Sequence, residues 1–188
     1  MSHLVKTLDE GIALKRRIIE DLRPSSLNNL GLKAALEILC TEFAERSELV
    51  VDTDIDELPL DDAGKLTVYR IVQEALTNVA KYADAATVHV TLGERGGWAM
   101  IAVRDDGAGF DPAAARTAAH GLAGMRFRVQ SARGELKIKS RPGQGTTIRA
   151  RLPLPDHPQD AVDSTHDVAT LLGPGSYPQP PAGVEQAG

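Results

Sequence analysis

The sequence predicts an α+β domain in which helices cover a mixed, largely antiparallel sheet, and three observations carry that expectation. Segments on both sides of residue 62 repeat their apolar positions at helical spacing. The stretch "TVHVTLGERGGWAMIAVRD" alternates at period two on either side of Gly96-Gly97, as a hairpin does. Two later alternating stretches, "GELKIKS" and "TTIRARLPL", follow another helical segment. Helices grouped against such strands make a layered domain.

In chain order, Leu4 to Leu22 is expected as a helix whose Val5, Leu8, Ile12, Ile19 and Leu22 form a coiled-coil-like seam, interrupted by Lys15. "LRPSSLNNLG" is expected to end it, because Pro24 disfavours helical geometry at Arg23 and Ser25, Ser26, Asn28 and Asn29 form turns and caps. A second helix over Leu32 to Arg46 turns Leu32, Ala35, Leu36, Leu39 and Phe43 inward. "ELVVDT" is a short strand, and a third helix runs from about Asp62 to Tyr82. "FDPAAARTAAH" places Asp111 and Pro112 to start a helical turn, and "GLAGMRFRVQSA" reads as the last helix. From Asp156 onward, repeated proline and glycine break every periodicity, and disorder is expected.

Composition excludes several classes. No apolar run reaches the length of a membrane span, and "MSHLVKTLDEG" lacks the order of a signal peptide. Residues from Asp156 on carry five acids and no lysine or arginine, so the preceding 155 residues balance 21 acids against 21 bases. A neutral body without a basic stripe argues against nucleic acid as the main partner. The single cysteine, Cys40, cannot close an internal disulfide; it is expected to pack in a helix, in a reducing cytoplasm.

Four local motifs carry chemistry. On the third helix, at about 100° per residue, Val72, Ala75, Leu76, Val79 and Ala83 share one side, and Glu74, Asn78 and Lys81 share a wedge opposite. A solvated face explains that wedge too, although asparagine is a weak helix former at mid-helix. In "VRDDGAGF", Asp105 ends a strand and Gly107 and Gly109 follow: a carboxylate that can accept from an exocyclic amine, beside backbone that a flat ring can approach. A polar turn is the alternative. Gly121 and Gly124 open a helix whose first-turn N–H groups attract phosphate, with Arg126 or Arg128 adding charge, or they cap a preceding helix. Gly143 and Gly145 bend the chain before Thr146, whose hydroxyl can face the pocket of Asp105; a plain turn between strands is again the alternative.

Taken in order, these motifs resemble a known family. Residues from about Lys65 to Pro155 resemble the ATP-binding domain of sensor histidine kinases, the Bergerat fold shared with DNA gyrase, Hsp90 and mismatch-repair ATPases. Glu74, Asn78 and Lys81 match its N box, Asp105, Gly107 and Gly109 its G1 box, Gly121 and Gly124 its G2 box, and Gly143, Gly145 and Thr146 its last glycine box. "LKRRIIEDLRPSSLNNLGLKAALE" and "GLAGMRFRV" resemble the nitrate-sensor-type branch.

That resemblance implies a domain order: residues 1–24 as the second helix of a dimerisation hairpin, 25–155 as the ATP-binding domain and 156–188 as an acidic tail. It implies ATP and Mg²⁺ as cofactors. Asp105 is expected to hold the adenine amino group with support from Thr146, and Asn78 to offer its amide oxygen to Mg²⁺. Glu74 either orients a metal-bound water or assists proton transfer; Lys81 and Arg126 neutralise phosphate charge. Phe110 to His120 form the lid. The implied activity is transfer of the γ-phosphoryl to a histidine and on to a response regulator, with a homodimer through the N-terminal helix. A nucleotide-dependent binding module is the alternative, and anti-sigma serine kinases a third. Tyr82 stands where the family usually has histidine. No histidine here has the context of the phosphoacceptor, which is expected on another segment or chain.

Overall fold

The computed structural model describes residues 24–111 and 119–155. The expected N-terminal helix over residues 4–22, residues 112–118 of the expected lid, and the acidic tail therefore lie outside the described residues.

Local pattern builds the centre of the sheet. Strands β2 (Thr87–Arg95) and β3 (Trp98–Asp105) alternate, with Val88, Val90, Leu92, Ala99, Ile101 and Val103 buried. They join through Gly96-Gly97, both at positive φ (60° and 78°), which twists a two-residue loop to match the strands. Strand β1 (Val50–Ile55) runs parallel to β2, and a parallel neighbour needs a crossover, supplied by helix α3 (Asp62–Asn78). Helix α4 (Ala119–Ser131) leads into β4 (Glu135–Ser140), and β5 (Thr146–Pro153) inserts between β3 and β4. The order β1-β2-β3-β5-β4, one parallel pair and three antiparallel, is the mixed sheet the sequence predicts.

The helices share one core with the inward face of the sheet. Helix α2 (Leu32–Ser47) buries Leu32, Ala35, Leu36, Leu39 and Phe43, and α3 buries Val72, Ala75 and Leu76, as the periodicity predicts. Cys40 is buried; desolvation and the neighbouring Glu37 carboxylate push its thiol up to about 11, so it stays protonated and inert at neutral pH. Asp61 caps α3, its Oδ1 accepting from Gly64 N at 2.7 Å. Asp61→Ala is expected to cost about 1 kcal/mol in denaturant unfolding, the usual worth of such a cap.

Three local expectations are corrected. Residues Ser25–Leu30, expected as a turn, form a short helix, α1. Pro24 presets its entry (φ −60°, ψ 131°), and burial of Leu27 outweighs the turn preference of the serines and asparagines. The third helix is not uniform to Tyr82: Val79–Ala83 is a π-helical turn, closed by Asp84 in the left-handed region (φ 47°). Finally, α4 starts at Ala119, which leaves Gly121 in the first turn and moves Gly124 into the second.

Candidate functional site

At the C-terminal end of β3, Asp105 is the one charged residue buried in the core among those described, at 6% exposure. Its Oδ1 accepts from Gly107 N at 3.0 Å and Thr146 N at 3.1 Å. These bonds tie the G1 loop to the start of β5 and fix the plane of the carboxylate. Oδ2 has no partner among the described residues, and Asp105 lines a cavity of about 240 Å³. A buried carboxyl with donors on one oxygen only has its other oxygen left for a ligand.

The glycines around it are needed for close backbone approach. A Cβ on Gly107 would overlap the Ala83 carbonyl, and one on Gly145 the Asp105 carbonyl. Their backbones are stitched together: Gly145 N donates to Gly107 O at 2.8 Å, Ala108 N to Ala83 O at 2.6 Å, and Gly143 N to Ala108 O at 2.6 Å. The G1 loop, the π turn and the "RPGQG" turn thus form one rim. Asp106 points away, accepting from Ala86 N and Thr87 N at 2.9 Å each. Those backbone donors hold its carboxyl below the usual carboxylate range. The stabilisation is therefore present at neutral pH and is lost as acid takes the pH down through that depressed value.

Apolar groups make up most of the cavity's lining. Val103 and Ile148 oppose one another across β3 and β5 as its floor, Ala75, Val79 and Ala83 supply one wall, and Leu122, Tyr82 and Phe110 complete the lining. Small residues at 75 and 83 leave room for a ring. The volume falls below the ~300–1,000 Å³ of pockets that enclose whole ligands, so it suits one ring system with the rest of the ligand outside. Of these apolar residues, neither Val103 nor Ile148 was among the motif residues. The signal lay in register: Val103 is two residues before Asp105 on its strand face, and Ile148 two after Thr146.

Of the sequence-predicted residues, Asn78, Asp105, Gly109 and Thr146 line the cavity. The Thr146 hydroxyl lies 3.0 Å from Ser140 Oγ. Glu74 is half-buried one turn before Asn78, and a Cβ on Gly121 would overlap its carboxylate. Gly121 therefore lets α4 close on Glu74, bringing the N and G2 boxes together. Neither Glu74 nor Asn78 makes a hydrogen bond or ion pair with a described residue. Gly121→Ala is expected to push the Glu74 carboxylate aside with little change in melting temperature, because the clash falls on the end of a flexible side chain. Activity should drop while thermal unfolding stays near the parent's.

Lys81 and Arg126 are not brought to the cavity. Lys81 leaves the wedge because a π turn closes i to i+5 and turns through less per residue, so the side chain lags behind the Glu74–Asn78 line. It lines a different cleft, on the other flank. Arg126 is exposed on α4. Gly124 lies under the Arg128 guanidinium, with a Cβ there 3.5 Å from its nearest nitrogen, and Gly143 shapes the turn at φ 74°.

Comparison with known proteins adds the family. Residues 63–156, half of the chain, match the family described as histidine kinase-, DNA gyrase B-, and HSP90-like ATPase. The chain is 35% identical over 155 residues to the signal transduction histidine-protein kinase/phosphatase DegS of Brevibacillus brevis, covering 80% of this chain and 40% of that protein. It is 40% identical over 156 residues to the sensor histidine kinase MctS of Rhizobium johnstonii, covering 79% and 33%. The chain thus spans well under half the length of these relatives. Among solved structures, the histidine kinase domain of the Erythrobacter litoralis EL346 blue-light activated histidine kinase superposes with a TM-score of 0.57 at 23% identity, over 70% of this chain and 65% of that one, a likeness of fold. The chain belongs to the histidine kinase-, DNA gyrase B- and HSP90-like ATPase family, and its matched region is similar to the corresponding part of proteins named as sensor histidine kinases.

Proposed function

We propose that this domain binds Mg²⁺-ATP at the Asp105 cavity and transfers the γ-phosphoryl to a histidine supplied by another segment or chain, from which a response regulator takes it. The observation that carries this reading is the Asp105 carboxylate, in the lining of a mostly apolar cavity, with one oxygen pinned by two backbone donors and the other without a partner among the described residues.

Adenine lies on Val103 and Ile148 and donates its amino group to Oδ2. Tyr82 and Phe110 border the ring. The triphosphate leaves past Asn78, a neutral oxygen donor suited to Mg²⁺, a hard cation that keeps several waters. The metal, when bound, neutralises charge on the phosphates. Glu74, with no partner among the described residues, is placed to orient a water or accept a proton beside Asn78. Arg126, exposed on α4, is the cation we assign to the phosphate tail outside the cavity; Lys81, expected there from the sequence, lines the other cleft and is not assigned to the phosphates. Residues 25–155 form this domain, preceded by the end of a dimerisation hairpin through which two chains pair. No helix among the described residues is long and apolar enough to cross a membrane, which fits a cytoplasmic domain.

Incubation with γ-labelled ATP, with and without a separately supplied dimerisation hairpin bearing a histidine, tests the transfer. Label on the hairpin that is stable to base and lost in acid is the expected result. Binding of ATP without labelling would instead support a nucleotide-dependent binding module.

A further inference from the structure

The π turn has two working faces. One, through Val79, Tyr82 and Ala83, lines the nucleotide cavity together with the preceding Asn78. The other helps to enclose a second cleft of about 600 Å³ between the turn and the C-terminal end of α2, bordered by Phe43, Arg46, Thr77, Val79, Lys81 and Asp84. Val79 lines both.

The chemistry of this cleft is that of a receptor for anions. Arg46 and Lys81 both line it, and neither forms an ion pair with a described residue, although Asp84 is in the same lining. Arg46 is anchored: its Nε donates to the Glu42 carbonyl at 3.1 Å, which orients the guanidinium and leaves its terminal nitrogens to donate elsewhere. The hydroxyls of Thr77 and Ser47 are already spent on the carbonyls of Gln73 and Phe43, at 2.8 and 2.7 Å. Cationic donors are in excess, and Phe43 and Val79 give an apolar wall.

We infer that this cleft is a second binding site, for a small organic anion with an apolar body, and that its occupation adjusts nucleotide affinity through the π turn. The coupling has a physical route. The Ala83 carbonyl at the end of the turn accepts from Ala108 N and sits against Gly107, so a shift of the turn moves the loop that Asp105 Oδ1 holds. The regulatory half rests on the nucleotide reading of the Asp105 cavity; the binding half does not.

Phenyl phosphate is the probe, titrated into ¹⁵N-labelled full-length chain without nucleotide. Saturable amide shifts are expected at Arg46, Ser47, Thr77 and Asp84, weakening as salt is raised. Arg46→Ala should weaken binding at least about tenfold, whereas Asp105→Asn should leave it unchanged. ATP affinity at saturating phenyl phosphate should then differ at least about threefold from that without it in the parent, and not in Arg46→Ala. Shifts centred on Asp105 and Thr146, or shifts that survive Arg46→Ala, would overturn the site. Binding at Arg46 with unchanged ATP affinity would establish the site and overturn the coupling. A chain that binds phenyl phosphate at Arg46 but no ATP would sink the nucleotide reading alone.

Discussion

Asp105→Asn is expected to weaken ATP binding by about 2 kcal/mol, roughly 30-fold, while the domain stays folded. Position 105 must keep an acceptor toward Gly107 N and Thr146 N, so the asparagine carbonyl takes the place of Oδ1. Its amino group is then forced to the Oδ2 position, where it meets the adenine amino group donor to donor. Guanine presents a carbonyl at the equivalent place, so the same substitution should narrow the preference for ATP over GTP. Competition titrations of the two nucleotides, with a thermal melt as control, check this. Equal ATP affinity in parent and variant would place adenine elsewhere.

Asn78→Ala acts on the other end of the ligand. Asn78 is half-buried, makes no side-chain hydrogen bond with a described residue, and occupies the last α-helical position before the π turn. Alanine is the better helix former by roughly 0.5 kcal/mol, so stability should hold or rise slightly. What disappears is the neutral oxygen proposed for Mg²⁺. Parent ATP affinity should depend on Mg²⁺ and fall on chelation; in the variant the two conditions should converge, and histidine phosphorylation should drop at least about a hundredfold. A variant that keeps its Mg²⁺ dependence would move the metal to another ligand.

How much of this was legible in the sequence follows the range of the forces involved. The core faces of α2 and α3 were readable, because amphipathic periodicity is local and burial enforces it. The β2–β3 hairpin was readable for the same reason, with Gly96-Gly97 as its marker. A mixed sheet was expected, but not that β1 supplies its parallel pair, since partner and direction are set by a crossover and not by the strand's own residues. Helix α1 was misread as a turn because Leu27 gains from a core the local sequence does not reveal. At the site, Asp105, Asn78 and Thr146 each allowed a plain turn or a solvated face when read alone, and only the order of the four motifs, with the family resemblance, singled them out. Lys81 was drawn into the same line because residue spacing assumes a constant turn angle, and the π turn breaks that assumption. The apolar floor of Val103 and Ile148 was hidden among ordinary core residues, since only cross-strand register separates cavity from core.

Crystallography of the full chain with Mg²⁺ and a non-hydrolysable ATP analogue tests the central claim most directly. The expected result is an adenine amino nitrogen about 3 Å from Asp105 Oδ2, with the ring on Val103 and Ile148 and the metal on Asn78. An analogue bound with its base outside this slot, or with Asp105 Oδ2 facing anything but a donor, would contradict it.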